Sequence, residues 1–165
     1  MADLLKVGAD KVTLNTAATN NPRIIQEISD TYGSQATVLA LECKYDSLTN
    51  TWEPLTDNGR NHTGLEAVSW AETGQRLGAG EILLTSVDQD GTKLGCDLSL
   101  FEKITSNVDI PVIGSSGVGN ETHAIEALNS GISAIAIGHS FHSDTLQISS
   151  LRNKIKNKGI PVRSI

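Results

Sequence analysis

The chain has 165 residues, a formal net charge of −6 at pH 7 and 38% hydrophobic residues, enough for one domain with a real core. Its 13 Lys and Arg residues are scattered, which argues against a nucleic-acid or anionic-membrane surface, and no apolar stretch is long enough to span a bilayer. Two cysteines, Cys43 and Cys96, without CxxC spacing argue against a disulfide framework or zinc site, and with no signal-peptide core in Met1–Asp10 the expected setting is the cytoplasm.

Apolar runs alternate with helical patterns along the chain. Lys11–Asn15 reads as a first strand. Asn21-Pro22 opens a helix with Ile24, Ile25 and Ile28 at helical spacing, and Gly33 ends it. Thr37–Glu42 is the second strand. The segment Asp46–His62 is long, polar and turn-rich, with Trp52 and Pro54; it is expected to be a loop, functional or disordered. Thr63-Gly64 precedes a second helix with Leu65, Val68, Trp70 and Leu77 on its apolar side, ended by Gly78 and Gly80. Glu81–Ser86 is the third strand and Leu98–Val108 the next helix. Pro111–Ser115 follows as the fourth strand. Asn120-Glu121 starts a helix with Ile125 and Leu128 inward and Gly131 at its end. Ala134–Gly138 is the fifth strand and Leu146–Lys156 the last helix. The basic run Arg152 to Lys158 alternates with apolar residues and reads as the wet face of that helix.

Continuous apolar runs suit strands of a covered parallel sheet, and the alternation of strand and helix points to βα units. A faint repeat relates Gly8–Ala17 to Gly131–Ser140, an offset of 123 residues. That length holds about four βα units, half of an eight-unit barrel. The expected fold is α/β, a partial (β/α)8 TIM barrel of about five βα units, residues 1–165 forming a single C-terminal portion of it. A closed barrel typically takes about 250 residues, so the chain is a fragment or is completed by another chain.

In parallel barrels the chemistry sits at the C-terminal strand ends. Those ends carry Asn15 and Thr16, then Glu42 and Lys44, then Ser86, Asp88, Asp90 and Gly91, then Ser115, Ser116, Gly117 and Gly119, then Gly138, His139 and Ser140. Three of them suit phosphate. Ser115–Gly119 lies between a strand and a helix, where glycine lets backbone N–H groups approach an oxyanion. Gly138-His139-Ser140 repeats this, and Asn15-Thr16 does so on the first strand. His139 could donate to a phosphate or crowd it. Glu42, Asp88 and Asp90 could serve as acid and base, bind Mg²⁺ or Ca²⁺, or tie their loop down; acid–base work is favoured for Glu42 and substrate orientation for Asp90. His62, His123 and His142 have no metal-ligand spacing. Lys11 and Glu81 each begin a strand at the barrel floor, where an ion pair is expected.

Several stretches together resemble one family. They are Gly8-Ala9-Asp10-Lys11-Val12, Gly33-Ser34-Gln35, Trp52-Glu53 with Thr56, Gly59-Arg60 and Thr63-Gly64, and above all Gly78–Ser86 with Asp88, Asp90-Gly91-Thr92-Lys93 and Gly95. Pro111-Val112-Ile113, Gly117, Phe141-His142 and Gly159–Arg163 complete the match. The chain resembles the cyclase subunit of imidazole glycerol phosphate synthase, of histidine biosynthesis, over the C-terminal two-thirds of a usual member. The resemblance implies a lyase without a cofactor or metal. It implies a glutaminase partner subunit whose ammonia enters at the barrel floor, past gate positions matched by Lys11 and Glu81. It implies a bisphosphorylated ribulosyl carboxamide ribotide as substrate, cleaved and cyclised to imidazole glycerol phosphate and aminoimidazole carboxamide ribotide. One phosphate would lie near Asn15-Thr16, the other near Gly91, Gly117, Gly138 and His139.

The departures are local. Glu42 stands where the family has a catalytic Asp, Ser116 replaces a usual glycine, His139 a usual serine and Cys96 a usual Tyr. The family's first-strand Asp has no counterpart here. Two other readings stay open: a paralogue delivering ammonia to a sugar nucleotide in surface-polysaccharide synthesis, and a non-catalytic phosphate-binding remnant.

Overall fold

The computed structural model describes residues 2–163. Its strands are β1 (Val12–Leu14), β2 (Thr37–Asp46), β3 (Thr51–Thr56), β4 (Asn61–His62), β5 (Glu81–Ser86), β6 (Val112–Ser115) and β7 (Ala134–Ala136). Its helices are α1 (Ala2–Lys6), α2 (Thr16–Asn20), α3 (Arg23–Tyr32), α4 (Ala67–Arg76), α5 (Leu98–Thr105), α6 (Glu121–Asn129), α7 (His139–His142) and α8 (Ile148–Asn157). Strands β1, β2, β5, β6 and β7 form a parallel sheet in that spatial order, unclosed among the described residues. This is the expected partial barrel. None of the described helices is long and apolar enough to cross a membrane.

One face of the sheet carries Leu39, Leu41, Cys43, Ile82, Leu84 and Val112, all buried against Ile25, Trp70, Leu100, Phe101 and Ile104 of the helices. Each such large apolar side chain contributes about 1.5–3 kcal/mol of burial. Gly114 makes room for α5: a Cβ there would lie 2.8 Å from the Phe101 ring. The opposite face is laid out in rows by the register. Glu42 pairs with Thr85, Thr85 with Ser115 and Ser115 with Ala136; one row down, Ala40, Leu83, Ile113 and Ala134 are likewise in line. Side chains in such rows are the layers of a barrel interior.

The segment Asp46–His62 corrects the sequence reading, because it is a β-hairpin rather than a loop. Thr37–Leu39 of β2 pair with β1, and beyond β1 the same edge continues, Glu42–Asp46 pairing antiparallel with β3. The connection is built from side-chain chemistry that period-2 counting misses. Asp46 accepts from the Leu48 N–H and the Thr49 hydroxyl, both at 2.9 Å, and Asn50 takes a left-handed φ of 57°. Tyr45 and Trp52 face each other across the pair, ring centroids 5.3 Å apart and edge-on.

Smaller differences follow from local geometry. Leu65 is 37% exposed because α4 begins two residues later, and Ala67, Trp70, Ala71 and Gly74 form its buried side. Glu66 caps that helix, accepting from the Val68 and Ser69 N–H groups. The fifth strand stops at Ala136, since Gly138 already precedes α7. The α8 face is as expected: Leu151 and Ile155 are buried, while Lys154 and Lys156 are exposed.

Candidate functional site

The loop after β5 begins as an extension of the sheet. The Val87 N–H donates to the Cys43 carbonyl at 2.8 Å, and the Tyr45 N–H donates to Asp88 Oδ2 at 2.9 Å. Asp88 therefore ties the loop to β2 and faces an outer groove beside Tyr45 and Trp52; it does not converge with Glu42. Past it the loop turns inward with Asp90 and Gly91.

Asp90, Gly91 and Lys93 meet Ser115–Val118 and Ala136–His139 around a cavity of about 160 Å³. Gly91, Gly117, Gly138 and His139, read from the sequence as one phosphate end, lie in its wall, as does Asp90, read as orienting substrate. Backbone packing holds the wall. Gly117 has φ +78°, its carbonyl accepts from the Gly95 N–H at 2.8 Å, and a Cβ there would lie 1.9 Å from the Gly95 oxygen. Ser116 is buried at φ +86°, which is costly for a residue with a Cβ. Its hydroxyl accepts from the Ser86 N–H at 3.1 Å, and its carbonyl accepts from the Cys96 thiol at 3.1 Å. The buried Ser140 hydroxyl donates to the Val118 carbonyl, joining the next loop. Gly119 is not available to an anion in the same way, since its N–H donates to His123 Nδ1 at 3.2 Å.

A second cavity, of about 360 Å³, is lined by Glu42, Asn58, Gly59, Thr85, Val87 and Asp90. Glu42 Oε2 is buried there without a hydrogen-bond partner. A buried carboxylate oxygen left unpaired is costly, which marks Glu42 as the candidate reactive group of this cavity. Asp90 belongs to both cavities. The candidate acid–base residue and the candidate phosphate wall thus adjoin through one side chain.

Asn15 and Thr16 are not brought into either cavity. They meet the hairpin instead: Asn15 Nδ2 donates to the Leu55 carbonyl at 3.2 Å, and the Asp57 N–H donates to Thr16 Oγ at 3.1 Å. At the other end of the strands Lys11 and Glu81 form the expected ion pair, N to O 2.7 Å, with Lys11 47% and Glu81 18% exposed.

Two residues at the candidate site escaped the sequence reading. Lys93, at φ 60°, brings a cation to the smaller cavity, its Nζ donating to Ser143 Oγ at 2.6 Å; it was visible only as part of the Asp90–Lys93 stretch. Asp97 caps α5 through the Leu100 N–H at 3.0 Å and accepts the Trp52 indole N–H at 2.9 Å, fastening the hairpin to the site loop. An Asp directly before a helical pattern is a cap signature. Burial, with Asp97, Glu66 and Glu42 nearby, pushes the Cys43 thiol up. Burial, then Glu126 and Asp97, pushes Cys96 up to about 11. Neither thiol is a nucleophile at neutral pH. The described residues contain no group of three or more His, Cys, Asp or Glu that could hold a metal ion.

An unclosed parallel α/β sheet, with an acid and a glycine-walled cavity on one rim, defines a portion of a parallel βα-barrel protein. The chain belongs to the histidine biosynthesis protein family, whose model matches residues 1–147. It is 44% identical over 164 residues to the imidazole glycerol phosphate synthase subunit HisF of Geobacillus kaustophilus, covering 99% of this chain and 65% of that protein. The HisF of Thermococcus gammatolerans is 42% identical over 161 residues, covering 98% and 63%. That of Legionella pneumophila is 54% identical over 116 residues, covering 70% and 54%. The resemblance to the cyclase subunit read from the sequence is borne out by these relatives. The chain spans less than two thirds of the length of each of them.

Proposed function

We propose that this chain supplies the C-terminal part of an ammonia-dependent cyclase that converts a bisphosphorylated ribulosyl carboxamide ribotide into imidazole glycerol phosphate and aminoimidazole carboxamide ribotide. The observation that carries the reading is Asp90, shared by the cavity of Glu42 and the cavity of Gly117 and Gly138. One substrate held by its phosphate in the smaller cavity would extend past Asp90 toward Glu42. Backbone N–H groups and Lys93 would bind the phosphate, and His139 stands at the rim as a further donor. Glu42 would move the proton as ammonia adds and the ring closes, its unpaired Oε2 accepting or donating at hydrogen-bond reach. The second carboxylate of the acid–base pair lies outside this chain's strands. The other substrate phosphate would take the Asn15–Thr16 end.

Lys11 and Glu81 would stand at the ammonia entrance, and a glutaminase subunit would dock on that floor. Their ion pair joins the ends of two strands opposite the cavities. The relatives' name, a synthase subunit, is consistent with such a partner.

The test is turnover. The chain is joined to the N-terminal barrel units of a HisF relative, shown by circular dichroism and phosphate binding to be folded, and supplied with saturating ammonia and the bisphosphate. Formation of imidazole glycerol phosphate that is lost in Glu42→Gln and raised in Glu42→Asp is expected. A folded, phosphate-binding protein without turnover would remove the reading.

A further inference from the structure

The residues read as a phosphate site on the first strand are already engaged, Asn15 by the Leu55 carbonyl and Thr16 by Asp57. The Asp57 N–H donates to Thr16 Oγ at 3.1 Å, and the Thr16 hydroxyl lies 3.5 Å from Asp57 Oδ1. Asn61 Nδ2 holds the other carboxylate oxygen, Oδ2, at 2.5 Å. Asp57, Asn58 and Gly59 follow one another at φ 52°, 59° and 74°, and the Arg60 N–H closes the turn on the Thr56 carbonyl at 2.9 Å. Two successive residues with side chains in the left-handed region make a turn that holds only while its contacts hold it. The same turn carries Gly59 against Val87 and over Glu42.

We propose that Asp57 is an anion-mimicking latch: its turn occupies the Thr16 end and narrows the Glu42 cavity until a phosphate displaces the carboxylate. The inference rests on the reading of Asn15–Thr16 as a phosphate end. Asp57 and Thr16 meet at an exposed contact, where solvent weakens the hold. A phosphate brings up to two charges and three strong acceptor oxygens against one carboxylate. Displacement would be local. β3 stays paired to β2 over Glu42–Asp46, whereas β4 is two exposed residues held by Leu55, Thr56 and a His62–Glu53 contact. The turn can therefore lift without unzipping the hairpin. Filling the first-strand end would then widen the neighbouring cavity, whose wall includes Asn58 and Gly59 of the same turn together with Glu42.

The experiment is a titration of the chain with inorganic phosphate, followed by amide resonances of Thr16 and Asp57 at one end and Gly117 and Gly138 at the other. Asp57→Asn removes the charge and keeps the shape; Asp57→Gly keeps the left-handed turn without a steric cost. Both are expected to tighten phosphate binding at Thr16 by about tenfold and to leave the Gly117–Gly138 end within about twofold. In the unsubstituted chain, phosphate is expected to speed hydrogen exchange across Asp57–Arg60. Unchanged or weaker binding at Thr16 in both variants, with binding intact at Gly117 and Gly138, overturns the latch alone. Loss of response at Gly117 and Gly138 in every protein overturns the phosphate reading and the latch with it.

Discussion

Gly138 and Gly117 line the same cavity, yet alanine should act on them in opposite ways. At Gly138, φ is −111° and an added Cβ meets no atom within 4 Å. Folding should therefore be indifferent to Gly138→Ala, or gain about 0.4–1 kcal/mol from the less flexible unfolded chain. The new methyl stands in a space of about 160 Å³, and an oxygen that would have approached the backbone is pushed out to carbon contact at about 3.5–4 Å. Losing one hydrogen bond to a charged group costs about 1.5–3 kcal/mol, or roughly 10- to 100-fold in phosphate affinity. Gly117→Ala is a folding mutation instead. It combines about 1–2 kcal/mol of left-handed strain with a Cβ 1.9 Å from the Gly95 oxygen, which the two loops relieve only by separating. Urea unfolding and a phosphate titration monitored by NMR separate the effects. A Gly138→Ala protein that binds phosphate as tightly as the parent would refute the assignment of this cavity, because nothing else in the substitution disturbs the wall.

Ser116 sets strain against a hydrogen bond. Ser116→Gly removes about 1–2 kcal/mol of left-handed cost but leaves the buried Ser86 N–H without its acceptor, at about 1–3 kcal/mol; Ser116→Ala keeps the cost and loses the bond. In chemical denaturation the alanine variant should be less stable than the glycine variant by about 1 kcal/mol, and the reverse order would show that left-handed strain does not govern this position. Burial raises the Glu66 carboxyl, but hydrogen bonds from the Ser69 and Val68 N–H groups and the Ser69 hydroxyl outweigh it and hold it below its ordinary value. A depressed carboxylate contributes stability above the ordinary carboxylate range that is lost as pH falls through its folded value. Glu66→Gln should therefore cost about 1 kcal/mol at pH 7 and progressively less on acidification, read from urea midpoints; a gap that widens toward acid would contradict the cap. Both thiols should resist iodoacetamide at neutral pH in the native chain and react in urea. Half-buried Cys96 should precede fully buried Cys43, and rapid native labelling of Cys43 would mean that the β2–helix layer opens.

The parallel strands were legible because each is a short apolar run, buried on its helix side in β1, β2, β5 and β6, and the wall of the smaller cavity was legible because its glycines sit where strands end. The hairpin was not. Its strands carry Glu53, Pro54 and Thr56 among Trp52 and Leu55, and they pair with an edge that exists only once β2 has outrun β1. No local pattern encodes an edge left open by the length of a neighbour. The same geometry explains why Asn15 and Thr16 were expected to await a ligand and are found engaged. Sequence places them correctly at a strand end but cannot show that Leu55 and Asp57 arrive above them. It likewise put Asp88 and Asp90 on one loop without deciding between them. The decision comes from the Tyr45 N–H, which takes the first acid into the sheet and leaves the second to join the two cavities. A long polar insertion after a barrel strand is thus a structural element with its own edge, and here it places Asn58 and Gly59 in the wall of the Glu42 cavity.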